Sequence, residues 1–186
     1  IADVTGHGIG PALVASICRS YVRASSKLNS SIDNLITNVN HLLSSDIPED
    51  RFVTAALGIL NPKDKSMRFL SAGHGPILFY QANTKQIQMF DADDIPLGMI
   101  EGVDYGPPKE FQFETGDMLI LVTDGFFEWS NEVNEQFGIG RLKQGIIDMA
   151  DQSAEKIISS VYESIHQFVN GTKQSDDLTA IIIKSV

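Results

Sequence analysis

The chain has 186 residues, 42% of them hydrophobic and 20% charged. That is the balance of one globular domain with a real core, and it excludes wholesale disorder. Asp and Glu number 24 against 14 Lys and Arg, a formal charge of −10, which excludes nucleic acid and anionic membrane as main partners because phosphate binding needs a basic field. The single cysteine, Cys18, excludes an intrachain disulfide and a CxxC zinc site and fits a reducing, cytoplasmic compartment. No apolar run approaches the ~20 residues of a membrane span, so no membrane contact by this domain is expected.

The chain opens on Ile1-Ala2-Asp3-Val4-Thr5-Gly6-His7-Gly8, where the apolar residues before Asp3 read as the tail of a strand. Pro11 to Leu28 is helical, with proline in the first turn and a broad apolar face of Ala12, Leu13, Val14, Ile17, Cys18, Tyr21 and Val22 that predicts deep burial. Asn29-Ser30-Ser31 interrupts the pattern and can cap a second helix, Ser31 to Asp46, whose stripe is Ile32, Leu35, Ile36, Val39, Leu42 and Leu43. Strands follow at Phe52–Leu60, Met67–Ala72, Ile77–Gln81, Gln86–Phe90, Glu110–Glu114 and Met118–Thr123, the last so apolar that both its faces should be buried. Between the fourth and fifth strands, Asp91 to Pro108 reads as a long acidic loop. Helices at Ile139–Ala150 and Ala154–Val169 and a final strand at Asp177–Lys184 complete the order. Tight strand-to-strand turns predict antiparallel pairing. The fold class is α+β: two mainly antiparallel sheets packed together with helices outside, in one domain over residues 1–186.

Three aspartates sit at the ends of buried-looking strands. Asp3 precedes the glycine-rich turn, Asp124 follows Met118–Thr123, and Asp176-Asp177 opens the last strand. A carboxylate at the end of an apolar run carries a desolvation penalty, which a hard divalent cation with oxygen ligands would compensate. Taken singly each has a plainer role, as a turn residue, a solvated cap or a helix entry; their coincidence with glycine-rich turns favours metal. Gly6, Gly8 and Gly10 do not make a dinucleotide loop, because the spacing is not G-x-G-x-x-G and two helices follow before any strand. His7 is a candidate acid near phosphate, whereas His74, in Ser71-Ala72-Gly73-His74, reads as a structural histidine bonding a loop backbone. Cys18 reads as core, and Trp129 as packing against the 124–138 loop.

Together these segments resemble the PPM family of metal-dependent serine/threonine phosphatases, the PP2C-like group, and within it the bacterial sporulation-phosphatase and stress-regulator (SpoIIE/RsbU-like) branch. The matching stretches run in family order: Asp3-Val-Thr-Gly-His-Gly8, Phe52-Val-Thr-Ala55, Ser71-Ala-Gly-His74, Pro96-Leu-Gly98, Gly116 to Gly125, Phe137-Gly138 with Arg141-Leu142, and Asp176-Asp-Leu-Thr179. The resemblance implies a four-layer αββα sandwich holding two Mn²⁺ or Mg²⁺ ions. It implies Asp3 as a bridging ligand, the Val4 carbonyl as a second ligand, and Asp124 and Asp176 completing the set, with Asp177 outside it. It further implies direct attack on phosphorus by a metal-activated water, with no phosphoenzyme.

For this branch the implied substrate is a phosphoserine or phosphothreonine on an anti-sigma-factor antagonist. An upstream sensor or receiver domain is the implied regulator, acting through the two helices that follow Asp3; a homodimer is compatible with the pattern. Two departures stand out. The family's acidic motif on a strand preceding the Asp3 segment is not within this sequence, so this chain alone is expected to show reduced metal occupancy and little activity. The basic residue that grips phosphate in eukaryotic-type relatives has no evident counterpart. The competing readings are a metal-poor regulatory module that binds a phosphoprotein without hydrolysing it, and an unrelated two-metal phosphodiesterase, which the negative charge disfavours.

Overall fold

A computed structural model describes residues 1–28, 31–174 and 176–186. In chain order the elements are β1 (Ala2–Val4), α1 (Ile9–Leu28), α2 (Ile32–Asp46), β2 (Val53–Asn61), β3 (Ser66–Ala72), β4 (Ile77–Gln81) and β5 (Gln86–Phe90). They continue with β6 (Lys109–Gln112), β7 (Met118–Val122), α3 (Gly125–Glu128), α4 (Gly138–Asp148), α5 (Ala154–Val169) and β8 (Ala180–Lys184). The strands form two antiparallel four-stranded sheets, β1-β2-β3-β6 and β5-β4-β7-β8, flanked by helices. The class is α+β, as the alternation of patterns predicts. Among the described residues no helix is long and apolar enough to cross a membrane.

The chain divides into two compact units, Ile1–His74 with Asp91–Gln112, and Gly75–Phe90 with Phe113–Val186. In the first, the α2 stripe Ile32, Leu35, Ile36, Val39 and Leu43 is buried with Val53, Ala55, Leu70, Ala72 and Leu97. The apolar face of α1 is narrower than its composition predicts. Val14 and Cys18 are buried, and Ile17, Tyr21 and Val22 pack partly buried against the same core, but Leu13 is 60% exposed. Ser31 holds the N-cap position of α2 with extended backbone, yet its side chain makes no cap bond. Asn29 and Ser30, the rest of that cap reading, lie outside the described residues.

The long acidic loop is pinned rather than loose. Val53 and Leu97 exchange both backbone bonds, at 2.9 and 2.8 Å, and Gly73 donates to the Asp94 carbonyl at 2.7 Å. Buried Asn40 on α2 ties down the remainder. Its Oδ1 accepts from Gly98 N at 2.8 Å and Tyr105 Oη at 3.2 Å, and its Nδ2 donates to the Ile100 carbonyl at 2.9 Å. Buried amides are expensive to leave unpaired, so one side chain that satisfies three partners holds this loop in place.

In the second unit β7 is buried along its whole length, as predicted, between β4 and β8. Ile157, Val161, Ile165 and Val169, spaced four apart on α5, join Leu142 and Ile146 of α4 in its core. Besides shifts of one or two residues elsewhere, three differences from the sequence pattern have a visible cause. The last strand begins at Ala180, not Asp177, because the side chain of Thr123 takes the place of a ladder partner: Thr179 N donates to Thr123 Oγ1 at 3.0 Å, and that hydroxyl donates to the Asp177 carbonyl at 3.0 Å. The β6 strand stops at Gln112, with Asp117 accepting from Glu114 N at 2.8 Å to form the turn. The residues after Asp124, expected as loop, form the one-turn helix α3, with Phe127 N and Glu128 N donating to the Asp124 carbonyl at 2.9 and 2.8 Å.

Replacing Asn40 with Ala removes three hydrogen bonds from a buried side chain at once and is expected to lower stability by about 1–3 kcal/mol, measured by urea unfolding. Burial, and after it the charge of Asp94, pushes the Tyr105 hydroxyl up to about 12. The folded state therefore keeps its proton where the unfolded chain has begun to lose it. This contribution is complete below about pH 10 and disappears as pH rises toward 12. A Tyr105→Phe variant is expected to show a shallower loss of stability across that window in pH-dependent melting.

Candidate active site

Asp3 lies in β1, half-buried and paired with Thr54 of β2. Its Oδ1 accepts from Val4 N at 3.0 Å. Thr54 Oγ1 reaches the Asp3 carbonyl at 3.5 Å and His74 Nδ1 at 3.3 Å. His74 is buried, and its ring meets the Thr54 side chain. The backbone bonding at this turn is made instead by Ser71, whose hydroxyl donates to the His74 carbonyl at 2.5 Å and accepts from His74 N at 3.1 Å. Beyond Val4 the ladder extends by one pair, with Thr5 N donating to the Phe52 carbonyl at 3.1 Å and Phe52 N donating to Thr5 Oγ1 at 3.1 Å. The chain then turns sharply at Gly6, φ +83°, leaving His7 exposed.

Asp124 and Asp176 belong to the second unit. Asp124 stands at the N-terminus of α3, half-buried, and its side chain caps nothing. Its Oδ1 is sealed from solvent and has no hydrogen-bond partner. The next residue must be glycine: a Cβ on Gly125 would sit 2.5 Å from the Asp177 carbonyl oxygen, a backbone atom that cannot swing away. This close approach sets the Asp124 segment against the 176–179 segment. Asp176 is exposed there, its Oδ1 accepting from Asp177 N at 2.8 Å. It therefore lies in a loop ahead of β8 and does not open the strand.

Whether these residues suit a divalent cation is a question of donor chemistry. Among the described residues no three His, Cys, Asp or Glu side chains form a ready cage. The candidate donors are nevertheless all oxygens, which suits a hard cation that keeps several waters. A buried carboxylate oxygen with no donor carries a desolvation penalty, which a hard cation would offset. On that ground the Asp124 carboxylate fits a hard divalent cation.

A sequence profile of the stage II sporulation protein E (SpoIIE) family matches residues 1–186. The chain belongs to that family. It is 26% identical over 186 residues to phosphoserine phosphatase RsbU of Bacillus subtilis, covering 99% of this chain and 54% of RsbU, so it spans about half the length of that relative. The solved SiaA-PP2C domain of Pseudomonas aeruginosa superposes with a TM-score of 0.85 at 18% identity, covering 98% of this chain and 73% of that one. The catalytic domain of the serine/threonine phosphatase PstP, solved with two manganese ions, gives 0.66 at 10% identity, covering 97% and 84%. The likeness to these structures establishes the PP2C fold for this SpoIIE-family chain.

One residue near Asp3 escaped the sequence reading. Arg51 Nη1 donates to the Thr5 carbonyl at 2.9 Å, directly after the Asp3-Val4 pair. The available signal was its isolation, as the only Lys or Arg between Lys27 and Lys63. Cys18 and Trp129 are buried in the two cores, as expected. For Gly125→Ala, the clash with the Asp177 carbonyl is expected to lower stability by about 1–3 kcal/mol, the usual range for forced overpacking, read from thermal melts.

Proposed function

We propose that this chain is a single PP2C-like phosphatase domain that hydrolyses phosphoserine or phosphothreonine on a regulatory protein. Asp3, the Val4 carbonyl, Asp124 and Asp176 would hold two Mn²⁺ or Mg²⁺ ions. The structural observation that carries the reading is the buried, unpartnered Oδ1 of Asp124. The family match over residues 1–186 supports it, as does the PstP structure with manganese. The substrate class rests on the name of RsbU, a phosphoserine phosphatase. An anti-sigma-factor antagonist as the protein substrate, and an upstream sensor or receiver domain as regulator, rest on the resemblance to that branch.

Divalent cations supply Lewis acidity that makes water a nucleophile at neutral pH and offset charge on the transferring phosphoryl group. The chain's own part is to place oxygen donors and to withhold competing nucleophiles. The one thiol, on Cys18, is buried, and burial pushes its pKa up from 9.0, so a cysteinyl-phosphate route has no reactive thiolate. The resemblance to the PP2C group implies direct hydrolysis. A water oxygen bonds to phosphorus as the bond to the serine oxygen breaks, and the serine oxygen takes up a proton.

The test is a phosphatase assay with Mn²⁺ on the full-length protein, using a phosphoserine peptide and p-nitrophenyl phosphate. Metal-dependent release of phosphate is expected, with Asp124→Asn lowering kcat/KM by at least about 100-fold, the upper scale reached when a metal's outer-shell partner is lost. Stability should separate from activity. In EDTA the variant, relieved of an unpaired carboxylate, should melt no lower than the native protein, while Mn²⁺ should raise the melting temperature of the native protein alone. Binding of phosphoprotein without hydrolysis would indicate the regulatory-module reading instead.

A further inference from the structure

The turn that follows Asp3 and Val4 has little to hold it from its own sequence. Gly6 adopts φ +83° and carries no side chain, and His7 and Gly8 are exposed. Its fixation comes from 46 positions away. Arg51 Nη1 donates to the Thr5 carbonyl at 2.9 Å and lies 2.5 Å from the point a Gly6 Cβ would occupy. Glycine here thus serves two needs, a left-handed backbone and room for a guanidinium.

Arg51 is itself well anchored. Its backbone N donates to the Pro48 carbonyl at 2.9 Å, and the next residue, Phe52, exchanges bonds with Thr5 through both its N and its carbonyl oxygen. Among the described residues its one acidic partner is Asp50, 3.8 Å away and 76% exposed. A surface pair of that length is weak, so the guanidinium is not consumed by an ion pair. Its bond to the Thr5 carbonyl is charge-assisted, the stronger class of hydrogen bond.

We infer that Arg51 is a positioning residue, whose guanidinium clamps the Thr5–Gly6 turn and so holds the Asp3 carboxylate and the Val4 carbonyl ready to act as ligands. This rests on the metal reading proposed above and adds to it the side chain that preorganises one part of the ligand set. Arg51 acts through the backbone, without touching substrate. That separates it from a phosphate-gripping arginine, whose loss would weaken substrate binding at any metal concentration.

The experiment compares the full-length native protein with Arg51→Ala and Arg51→Lys. Amide hydrogen exchange in EDTA reads the clamp without any metal. Exchange at residues 5–8 is expected to quicken about tenfold in Arg51→Ala, the scale of one hydrogen bond to a charged group, with the rest of the protein unchanged. Calorimetric titration with Mn²⁺ alone should show affinity lower by about 10- to 100-fold. At saturating Mn²⁺, KM for a phosphoserine peptide should return to the native value. Arg51→Lys keeps the charge and a donor; it is expected to fall between the two, and it carries the same comparison should Arg51→Ala not fold.

Native Mn²⁺ affinity in the variants, or unchanged exchange at residues 5–8, would overturn the inference. So would a raised KM that Mn²⁺ does not relieve, which would make Arg51 a phosphate ligand instead. If the native protein takes up no Mn²⁺, the metal reading falls and this inference with it. If the native protein binds Mn²⁺ and Arg51→Ala matches it, only the role of Arg51 falls.

Discussion

A carboxylate oxygen shielded from water with no hydrogen donor is unstable by itself, and Asp124 Oδ1 is held in that state by everything around it. The fully buried strand β7 delivers the chain to this point. Thr123 fastens it, spending its hydroxyl on the Asp177 carbonyl and the Thr179 amide. Gly125 lets the backbone of the 176–177 segment approach closer than any side chain would permit. The strand, the threonine and the glycine stabilise the unit; the unpaired oxygen does not. Natural proteins keep a local conflict of this kind where function requires it, and the metal reading proposed for Asp124 supplies such a function.

The first unit meets a different need. Short strand β1, three residues long, has few ladder bonds with which to hold Asp3 and Val4. Side chains make up the deficit. Thr54 contacts the Asp3 carbonyl, Thr5 extends the pairing to Phe52, and Arg51 grips the turn beyond. Farther out, Asn40 and the Val53–Leu97 pairing fasten the 94–106 loop onto α2 and β2. A rigid surround of this sort is what precise placement of ligating atoms requires.

Fold and chemistry stand on different supports here. The PP2C fold follows from superposition on structures at 18% and 10% identity, and a fold by itself hosts many activities. Activity has to be argued from side chains, and in this chain those are few: a set of oxygen donors, no accessible thiol, and a buried carboxylate in want of a counter-charge. The chain spans about half the length of RsbU, a phosphoserine phosphatase, and the phosphatase reading proposed above draws on that likeness.

Nearly every element was legible in the sequence, because helix and strand are written locally, as apolar periods of 3.6 and 2 residues. The α2 stripe from Ile32 to Leu43, the all-apolar β7 and the four-residue rhythm of α5 needed no partner to be read, and the motifs around Asp3, Asp124 and Asp176 were legible because each is contiguous. Tertiary structure alone decided what depends on atoms brought from far along the chain. The start of β8 is set by a threonine hydroxyl 56 positions earlier, the acidic loop is pinned by an asparagine 60 positions from one of its partners, and the narrow buried line of α1 reflects its packing rather than its composition. Arg51 reads as an ordinary surface cation until the Thr5 carbonyl is placed beside it. Hydrogen-bond partners at such separations leave no local period in the sequence, so only the folded chain reveals them.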